Sequence, residues 1–332
     1  MTKTITILGC GISGLSCGVK LQEAGFTDVR IISRTLPPNT TSDVAGGLWF
    51  PYKAEPIHRI LGWSRSTFQE MMRLRQVPEA GITMTRFFQL LPRLTSGDAW
   101  WSEAVNVYRP LTEDEIVAEF PTLTKGQFPS GFYAEVPIAE PHKHLPFLMQ
   151  RFQELGGKIE IGDVKSLSEI SGKSRIIVNC TGLEAKHLVG DESLFPIRGQ
   201  IIVVKNPGTN RSVTIEADDH HSEHATYTIA RSEDVILGGV AMTGNWETSI
   251  DEATVNGIIA RCSSIEPSLA KPHILQHKAG LRPGRTEIRL ESQQLSDSCT
   301  VIHNYGHGGS GYTVNWGCAA EVVALARAAS QS

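Results

Sequence analysis

The segment HNYGHGGSG, residues 303–311, concentrates two histidines, a tyrosine and four glycines in nine residues. Imidazole groups can transfer protons, whereas glycines let a bound molecule come close to the backbone. The residues that follow have the apolar spacing of a helix, with one side formed by Val314, Cys318, Val322 and Leu325. A helix that starts at a glycine turn presents N–H groups and the positive end of its dipole to a ligand. We therefore expect the glycine backbone to bind a ligand, and we interpret His303 and His307 as polar turn residues.

A second glycine turn lies near the start of the chain, where Gly9, Gly11 and Gly14 form the pattern GxGxxG. The turn lies between a short apolar strand and a helix whose apolar face carries Ile12, Leu15 and Val19. In such a unit the first glycine permits the tight turn, and the second lets a pyrophosphate approach the backbone. The third lets the helix pack closely on the strand. The pattern predicts a site for a dinucleotide cofactor.

The second strand, residues 29–32, is not followed by the acidic residue that usually binds the ribose hydroxyls. Ser33 and Arg34 stand at that place. Because an arginine there can bind a 2′-phosphate, the turn by itself leaves both FAD and NADP open.

The segment TTSDVAGGLWFPY, residues 40–52, follows the second strand. Its hydroxyl and glycine residues are Thr40, Thr41, Ser42, Gly46 and Gly47. The hydroxyls could bind phosphates, and the glycines would let a flat ring lie against the backbone. A polar turn that runs into a core strand would have the same composition.

The rest of the chain contains two kinds of pattern. Residues 141–162 predict a helix followed by a Gly-Gly stop and a short strand. The expected apolar face of that helix consists of Leu145, Leu148, Met149, Phe152 and Leu155. Residues 175–182 predict another buried strand that ends in glycine, which is typical of doubly wound α/β proteins. Residues 201–240 instead contain short β-branched runs separated by turns, which favours an antiparallel sheet.

Composition limits the function classes. The chain has 332 residues and a formal net charge of −4, which does not favour nucleic-acid binding. No apolar run approaches the roughly 18–20 residues of a membrane span, and the apolar start lacks the basic residues of a signal peptide. None of the six cysteines forms a CxxC pair, so we expect no metal site, no disulfide framework and a reducing compartment.

Several segments together resemble the D-amino-acid oxidase and D-aspartate oxidase family of flavoproteins, and its D-amino-acid oxidase branch most. The matching segments lie at residues 40–52, 178–182, 195–200, 227–246, 280–291 and 303–319. They occur in the order of the family and span nearly the whole chain. The resemblance implies a protein with bound FAD.

The implied fold class is α/β: a doubly wound, Rossmann-like FAD-binding domain plus a second α+β substrate domain with a mainly antiparallel sheet. The FAD-binding domain would be discontinuous and consist of residues 1–55, 140–195 and 285–332. The substrate domain would comprise residues 56–139 and 196–284.

The resemblance also implies which residues contact the cofactor. At the first turn and the second strand these are Gly9, Gly11, Ile12, Ser13, Gly14 and Arg34. In the following segment they are Thr40, Thr41, Ser42, Gly46, Gly47 and Leu48. From the middle of the chain come Val164, Thr181 and Gly182. The last segment contributes Gly306, Gly308, Gly309, Ser310, Gly311, Tyr312 and Thr313.

For the substrate, the family's carboxylate-binding arginine matches Arg282 in GLRPGR. An arginine suits this role because its planar fork makes two parallel hydrogen bonds with a carboxylate. By resemblance, the Tyr227 hydroxyl assists at the carboxylate, the Gly309 carbonyl accepts from the amine, and Tyr52 lines the pocket. The implied reaction transfers hydride from Cα to flavin N5. The products are a 2-oxo acid, ammonia and hydrogen peroxide, with molecular oxygen as acceptor and no side-chain base.

Two departures from the family's acidic-substrate members favour neutral or hydrophobic D-amino acids. Those members have an arginine at the place of Ala241 and tend to have a histidine at the place of Tyr52. Against this stand the histidines of ADDHHSEHATY, residues 217–227, which could meet an acidic side chain and which we interpret as solvated. They are His220, His221 and His224. Some members have a tyrosine where this chain has Glu223.

Other interpretations stay open. A D-aspartate or D-glutamate oxidase or a glycine oxidase could use the same scaffold, and Arg34 allows an NADP-dependent reductase. A non-catalytic flavin-binding protein would share the glycine turns. The oligomeric state is open, with a homo-oligomer possible in principle. The chain ends in Ala-Ser-Gln-Ser rather than a Ser-Lys-Leu-type peroxisomal address, so we expect a cytoplasmic protein that binds neither nucleic acid nor membranes.

Overall fold

The computed structural model describes residues 4–52, 55–215 and 224–331. The strands are β1 (Ile5–Leu8), β2 (Val29–Ser33), β3 (Ile82–Leu91), β4 (Tyr108–Thr112), β5 (Ser130–Ala139), β6 (Lys158–Ile161), β7 (Ile176–Asn179), β8 (Phe195–Lys205), β9 (Arg211–Ile215), β10 (His224–Ala230), β11 (Asp234–Val240), β12 (Met242–Thr243), β13 (Ile274–Gly284), β14 (Arg289–Ser296) and β15 (Cys299–Tyr305). The helices are α1 (Ile12–Glu23), α2 (Ile57–Leu74), α3 (Glu113–Glu119), α4 (Pro141–Glu154), α5 (Ser168–Ser171), α6 (Ala185–Leu188), α7 (Glu252–Ile265) and α8 (Gly311–Gln331).

The chain divides into two compact units. Unit 1 consists of residues 1–82, 139–196 and 282–332, and unit 2 of residues 83–138 and 197–281. Unit 1 thus differs from the domain expected from the sequence chiefly because it includes residues 56–82. The reason is the packing of α2, whose buried residues Ile60, Trp63 and Thr67 face α8 within unit 1.

Unit 1 contains a six-stranded sheet in the order β14-β15-β7-β1-β2-β6. The strands from β15 to β6 pair in parallel, and β14 adds to the edge as an antiparallel strand. The central strands β1 and β7 are buried throughout, as expected of parallel strands that helices cover on both faces. The mixed α/β fold expected from the sequence is confirmed. The carboxyl ends of β1, β7 and β15 therefore meet at one edge, where ligands bind in open parallel sheets.

Most residues of the apolar faces predicted for the helices of unit 1 are buried, but Met149 of α4 and Leu325 of α8 are only partly buried. Helix α1 ends at Glu23, before Gly25, whose φ of 95° is typical of a glycine helix stop. Helix α4 buries Leu145, Leu148 and Phe152 as expected. Leu155, which we placed on the same face, is 44% exposed because the helix has ended and residue 155 lies beyond its last turn.

Unit 2 contains most of a nine-stranded sheet in the order β12-β8-β11-β10-β9-β3-β5-β4, with β13 paired to β8. The β8–β11, β11–β10 and β10–β9 pairs are antiparallel, whereas β3 and β9 are parallel. Helix α7 buries Val255, Ile258 and Cys262 against residues of β8 and β11. The runs at residues 201–240 therefore form the antiparallel sheet that the sequence predicted.

None of the helices among the described residues combines the length and the apolar character that a membrane crossing requires. All six cysteines are free, and five of them are buried. They contribute to the packing of the units as small apolar side chains.

Candidate functional site

The first glycine turn joins β1 to α1. Gly9 has a φ of 99°, and a Cβ at position 14 would lie 2.0 Å from the carbonyl oxygen of Gly9. Both positions therefore require glycine for steric reasons. The amide of Ile12, the first residue of α1, donates to the hydroxyl of Ser42 at 2.9 Å. The helix start, which favours anions, is thus in direct contact with the segment at residues 40–52.

The segment at residues 40–52 is ordered by a residue that the sequence analysis did not single out. Asp43 is 7% exposed, and its Oδ2 accepts from the Thr40 amide at 2.8 Å and from the Thr40 hydroxyl at 2.7 Å. The T-x-x-D spacing is that of a capping box, which was a usable sequence signal. The Thr40 hydroxyl proton is engaged with Asp43, whereas the Ser42 hydroxyl accepts from Ile12 and can still donate its own proton.

The middle segment lies beside the first turn. A Cβ on Gly9 would approach the Cys180 carbonyl oxygen to 2.6 Å, so the chain after β7 passes directly over the turn. Thr181 donates from both its amide and its hydroxyl to the side chain of Asn179. Val164 packs at the rim of the core cluster below these strands. These residues lie together at the carboxyl edge of the sheet of unit 1.

Arg34 follows β2, at the place where an acidic residue was missing. Its Nη2 donates to the carboxylate of Glu184 at 2.7 Å. Both side chains are about half exposed, at 54% and 53%. This hydrogen bond, which Glu184 accepts, and the negative charge of that carboxylate raise the pKa of the Arg34 guanidinium. A 2′-phosphate would have to compete with Glu184 for this arginine.

The second glycine turn is attached to the segment at residues 40–52 by side chains of α8. The Thr313 hydroxyl donates to the carbonyl of Phe50 and accepts from its amide. The Tyr312 hydroxyl donates to the carbonyl of Ser42 at 3.1 Å. A Cβ at position 309 would lie 2.6 Å from Cδ1 of Tyr52, so the Gly309 backbone lies against the tyrosine ring.

Arg282 lies at the end of β13 within unit 1. Burial raises the pKa of Tyr52, and the positive charge of Arg282 acts in the opposite direction. The guanidinium is therefore close enough to Tyr52 for its charge to act there. The structure brings together three of the four expected substrate residues: Arg282, Tyr52 and Gly309.

The fourth, Tyr227, belongs to unit 2. It lies on β10 opposite Gly238 of β11. A Cβ at position 238 would lie 2.0 Å from Cζ of Tyr227, so the ring lies flat on the backbone of the Gly238–Gly239 pair. Its role at the substrate carboxylate stays a prediction. His220, His221 and Glu223 lie outside the described residues, and His224 is exposed at the start of β10.

The two histidines of the last segment are buried inside unit 1. His303 is 1% exposed and His307 is 5% exposed. Burial lowers the pKa of each imidazole to about 4, so both are neutral at pH 7. Nε2 of His307 lies 3.0 Å from Oδ1 of Asn304. These contacts indicate that the imidazoles support the turn from inside the core.

Arg285 and Arg289, which the sequence did not place in the substrate site, form ion pairs within unit 1. Nε of Arg285 donates to Asp191 at 3.0 Å, and Nε of Arg289 donates to Glu291 at 2.7 Å. No group of three or more His, Cys, Asp or Glu side chains among residues 4–52, 55–215 and 224–331 could hold a metal ion.

The model of the family of FAD-dependent oxidoreductases called DAO matches residues 4–325. The chain belongs to this family. Its cofactor is FAD, as the resemblance implied, and the interpretation as an NADP-dependent reductase is not supported. The first glycine turn fits this cofactor, because Gly14 lets α1 pack closely on Gly9 and the start of α1 presents the N–H groups that suit a pyrophosphate.

Curated relatives cover almost the whole chain. This FAD-dependent oxidoreductase is 43% identical over 323 residues to the D-amino-acid oxidase of Rubrobacter xylanophilus, covering 97% of this chain and 95% of the relative. It is 33% identical over 336 residues to the D-aspartate oxidase of Homo sapiens, covering 98% and 94%. Its fold resembles the crystal structure of glycine oxidase from Geobacillus kaustophilus, with a TM-score of 0.80 at 16% identity, covering 98% and 95%.

Proposed function

We propose that this FAD-dependent oxidoreductase oxidises D-amino acids and that it prefers neutral over acidic side chains. The observation that carries the proposal is the proximity of the chain at Arg282 to the second glycine turn: the Gly308 amide donates to the carbonyl of Pro283 at 2.8 Å, and Gly309 lies against the ring of Tyr52. A guanidinium and a backbone carbonyl in one place are complementary to the carboxylate and the amine of a small amino acid. The name of the relative with 43% identity supports the same reaction class.

The residues of this chain bind and orient the substrate. The guanidinium of Arg282 holds the carboxylate through two charge-assisted hydrogen bonds. The carbonyl of Gly309 accepts from the substrate amine and thereby favours one orientation of Cα. Because the carboxylate and the amine of the substrate are both held, the α-hydrogen has little freedom of orientation. This restriction lowers the entropic part of the activation barrier for hydride transfer.

Bound FAD would supply the acceptor for the hydride from Cα and the means of reducing molecular oxygen to hydrogen peroxide. The amine must be neutral when the hydride leaves, so it binds neutral or loses its proton on binding. His303 and His307 do not supply a base in this proposal, because both are buried and burial lowers the pKa of each imidazole to about 4, which makes it a weak base. The imino acid then reacts with water to give the 2-oxo acid and ammonia.

The preference for neutral substrates rests on two positions. Ala241, 4% exposed within unit 2, stands where the acidic-substrate members of the family have an arginine. Tyr52 stands where those members tend to have a histidine. Neither residue carries a positive charge that could balance a side-chain carboxylate, and burying an unpaired charge is costly. One relative is named D-aspartate oxidase, so a preference for acidic D-amino acids is the main alternative to this proposal.

The proposal is tested by a panel of substrates with oxygen uptake as readout. We expect kcat/KM for D-alanine and D-valine to exceed that for D-aspartate and D-glutamate by at least tenfold, with no turnover of L-alanine. Faster oxidation of D-aspartate would refute the preference but not the reaction class. If no D-amino acid bleaches the flavin absorbance without air, the reaction class itself is wrong.

A further inference from the structure

The carboxylate of Asp191 joins two segments that lie 94 and 114 positions after it in the sequence. Its Oδ2 accepts from the Tyr305 hydroxyl at 2.8 Å and from Nε of Arg285 at 3.0 Å. Nη1 of Arg289 lies 3.7 Å from the same oxygen. One carboxylate oxygen therefore binds both the end of β15 and the chain that follows β13.

These two segments are the ones that carry the proposed substrate contacts. Arg285 stands three residues after Arg282, and Tyr305 stands immediately before the glycine turn that contains Gly309. The segments also touch directly, because the Gly308 amide donates to the carbonyl of Pro283 at 2.8 Å. A change in the position of either segment would change the distance between the guanidinium and the Gly309 carbonyl.

The side chain of Arg285 fills the space beside the turn. A Cβ at position 306 would lie 2.9 Å from Cβ and 3.0 Å from Cδ of Arg285, so the arginine stem lies along the Gly306 backbone. Its Nη1 also donates to the carbonyl of Glu287 at 2.8 Å. Asp191 thus fixes a side chain that is itself packed on the glycine turn.

Asp191 is held firmly enough to serve as an anchor. It is 8% exposed, and its Oδ1 accepts from the amide of Ser193 at 3.0 Å. Tyr305 is fully buried and packs against Ala185 and Leu194. Both oxygens of the carboxylate are therefore engaged, and the tyrosine that it binds has no room to rotate away.

We propose that Asp191 is a positioning residue for the oxidation reaction, which sets the Arg282 guanidinium against the Gly309 carbonyl through Arg285 and Tyr305. This inference rests on the proposed function, in which these two groups bind the substrate. A supporting carboxylate of this kind holds a binding group in its productive geometry without touching the substrate.

The experiment compares Asp191→Ala with Asp191→Asn in the protein with bound FAD, using D-alanine and oxygen uptake. The alanine variant loses the hydrogen bonds from Tyr305, Arg285 and the Ser193 amide, so KM should rise at least tenfold with kcat reduced less than threefold. The asparagine variant keeps one amide oxygen that can accept from Tyr305 and Arg285 while it loses the acceptor for Ser193, so its KM should rise no more than about threefold. Flavin absorbance should show full FAD occupancy in both variants.

Glu321 provides a matched control for loss of stability. It also accepts from an arginine and an aromatic donor within unit 1, namely Arg59 Nη2 at 2.5 Å and Trp63 Nε1 at 2.7 Å. It lies on α8 ten residues beyond the first residue of that helix. Glu321→Ala should lower the thermal midpoint as Asp191→Ala does, with KM for D-alanine unchanged.

Three outcomes would overturn the inference. The first is a KM of Asp191→Ala within twofold of the wild-type KM, and the second is an equal rise of KM in Glu321→Ala. The third is a KM of Asp191→Asn as high as that of Asp191→Ala. If Asp191→Ala yields no folded protein, Tyr305→Phe takes its place, because it removes a single hydroxyl. It should raise KM about threefold, and an unchanged KM in Tyr305→Phe would also overturn the inference. Arg282→Ala separates the two proposals. If KM does not respond to Arg282→Ala, the proposed function fails, whereas a response there without one at Asp191 refutes only the positioning role.

Discussion

The hydroxyl of Ser310 exchanges two hydrogen bonds with the backbone of Tyr52. It accepts from the Tyr52 amide at 2.7 Å and donates to the Tyr52 carbonyl at 2.8 Å. The ring of Tyr52 is thereby held against the Gly309 backbone, where a side chain would collide with it. The glycine turn and the segment at residues 40–52 consequently act as one rigid surface.

Gly309→Ala should disturb this surface. The new Cβ would lie 2.6 Å from Cδ1 and 3.2 Å from the carbonyl oxygen of Tyr52, so the turn or the ring must move. Because catalysis depends on the position of the bound Cα, we expect kcat/KM for D-alanine to fall about 10- to 100-fold. Oxygen uptake gives the rate, and the flavin absorbance shows whether FAD stays bound.

Gly62→Ala is the matched control for this substitution. Gly62 lies in α2, and no described atom outside its own helical backbone stands within 4 Å of the added Cβ. The variant should keep the wild-type kinetics and gain roughly 0.5–1 kcal/mol of stability from the better helix former. If Gly309→Ala and Gly62→Ala have the same kcat/KM for D-alanine, Gly309 is not part of the substrate site.

Arg282 is the residue whose loss should affect substrate binding most. Arg282→Ala removes two charge-assisted hydrogen bonds, each worth about 1.5–3 kcal/mol. We therefore expect KM for D-alanine to rise roughly 10²- to 10⁴-fold, with FAD still bound. Arg282→Lys keeps the charge but loses the planar fork, so its KM should lie between that of the wild type and that of Arg282→Ala.

Arg73→Ala serves as the control for Arg282. Arg73 is an exposed residue of α2 that pairs with Glu70 on the same helix, and such pairs are worth about 0–1 kcal/mol. Its kinetic constants should match those of the wild type. An unchanged KM in Arg282→Ala would assign the substrate carboxylate to another group.

Ser42 should contribute to the affinity for FAD. Its hydroxyl accepts from the Ile12 amide at the start of α1 and keeps its own proton to donate to the cofactor, and Ser42→Ala removes that donor. The loss of one such hydrogen bond costs about 1 kcal/mol, so we expect the FAD dissociation constant to rise about fivefold. Titration of the apoprotein with FAD, followed by flavin fluorescence, measures this change.

Ser66→Ala is the corresponding control, because the Ser66 hydroxyl bonds only the backbone of its own helix at an exposed position. Its FAD affinity should equal that of the wild type. If Ser42→Ala and Ser66→Ala bind FAD equally well, Ser42 does not support the cofactor.

Local patterns in the sequence were sufficient to predict the elements that carry the site. The glycine turn before α1, the turn before α8 and the buried strand β7 were all predicted, because each depends on residues within a few positions of one another. The T-x-x-D capping box around Asp43 was equally local and was overlooked. The same kind of signal, read more completely, would have found it.

Two features could not be predicted because their partners are remote in the sequence. Asp191 binds residues 94 and 114 positions away, and a single aspartate in a loop carries no sign of such partners. Helix α2 packs on α8, which is remote from it in the sequence, and nothing in its own residues indicates that partner, so we expected residues 56–82 in the other domain, whereas they lie in unit 1. Periodicity defines a face, and only the fold determines what covers it.

Three buried histidines predict how stability depends on pH. Burial lowers the pKa of His144, His303 and His307 to about 4, against an ordinary value of 6.5. Between these values the unfolded chain binds more protons than the folded one, so stability is complete above pH 6.5 and is lost as the pH falls toward 4. Each histidine should cost up to roughly 2 kcal/mol between pH 7 and pH 5.

The thermal midpoint at fixed FAD concentration, measured from pH 7 to pH 5, tests this prediction. His144 is the histidine to replace, because it lies in α4 outside both glycine turns and contacts the carbonyl of Ala80. His144→Gln should lower the midpoint at pH 7 but should also reduce its decrease between pH 7 and pH 5. His58→Gln, at an exposed position of α2, should follow the wild type throughout. A decrease in His144→Gln as steep as in the wild type would show that other groups cause the acid instability.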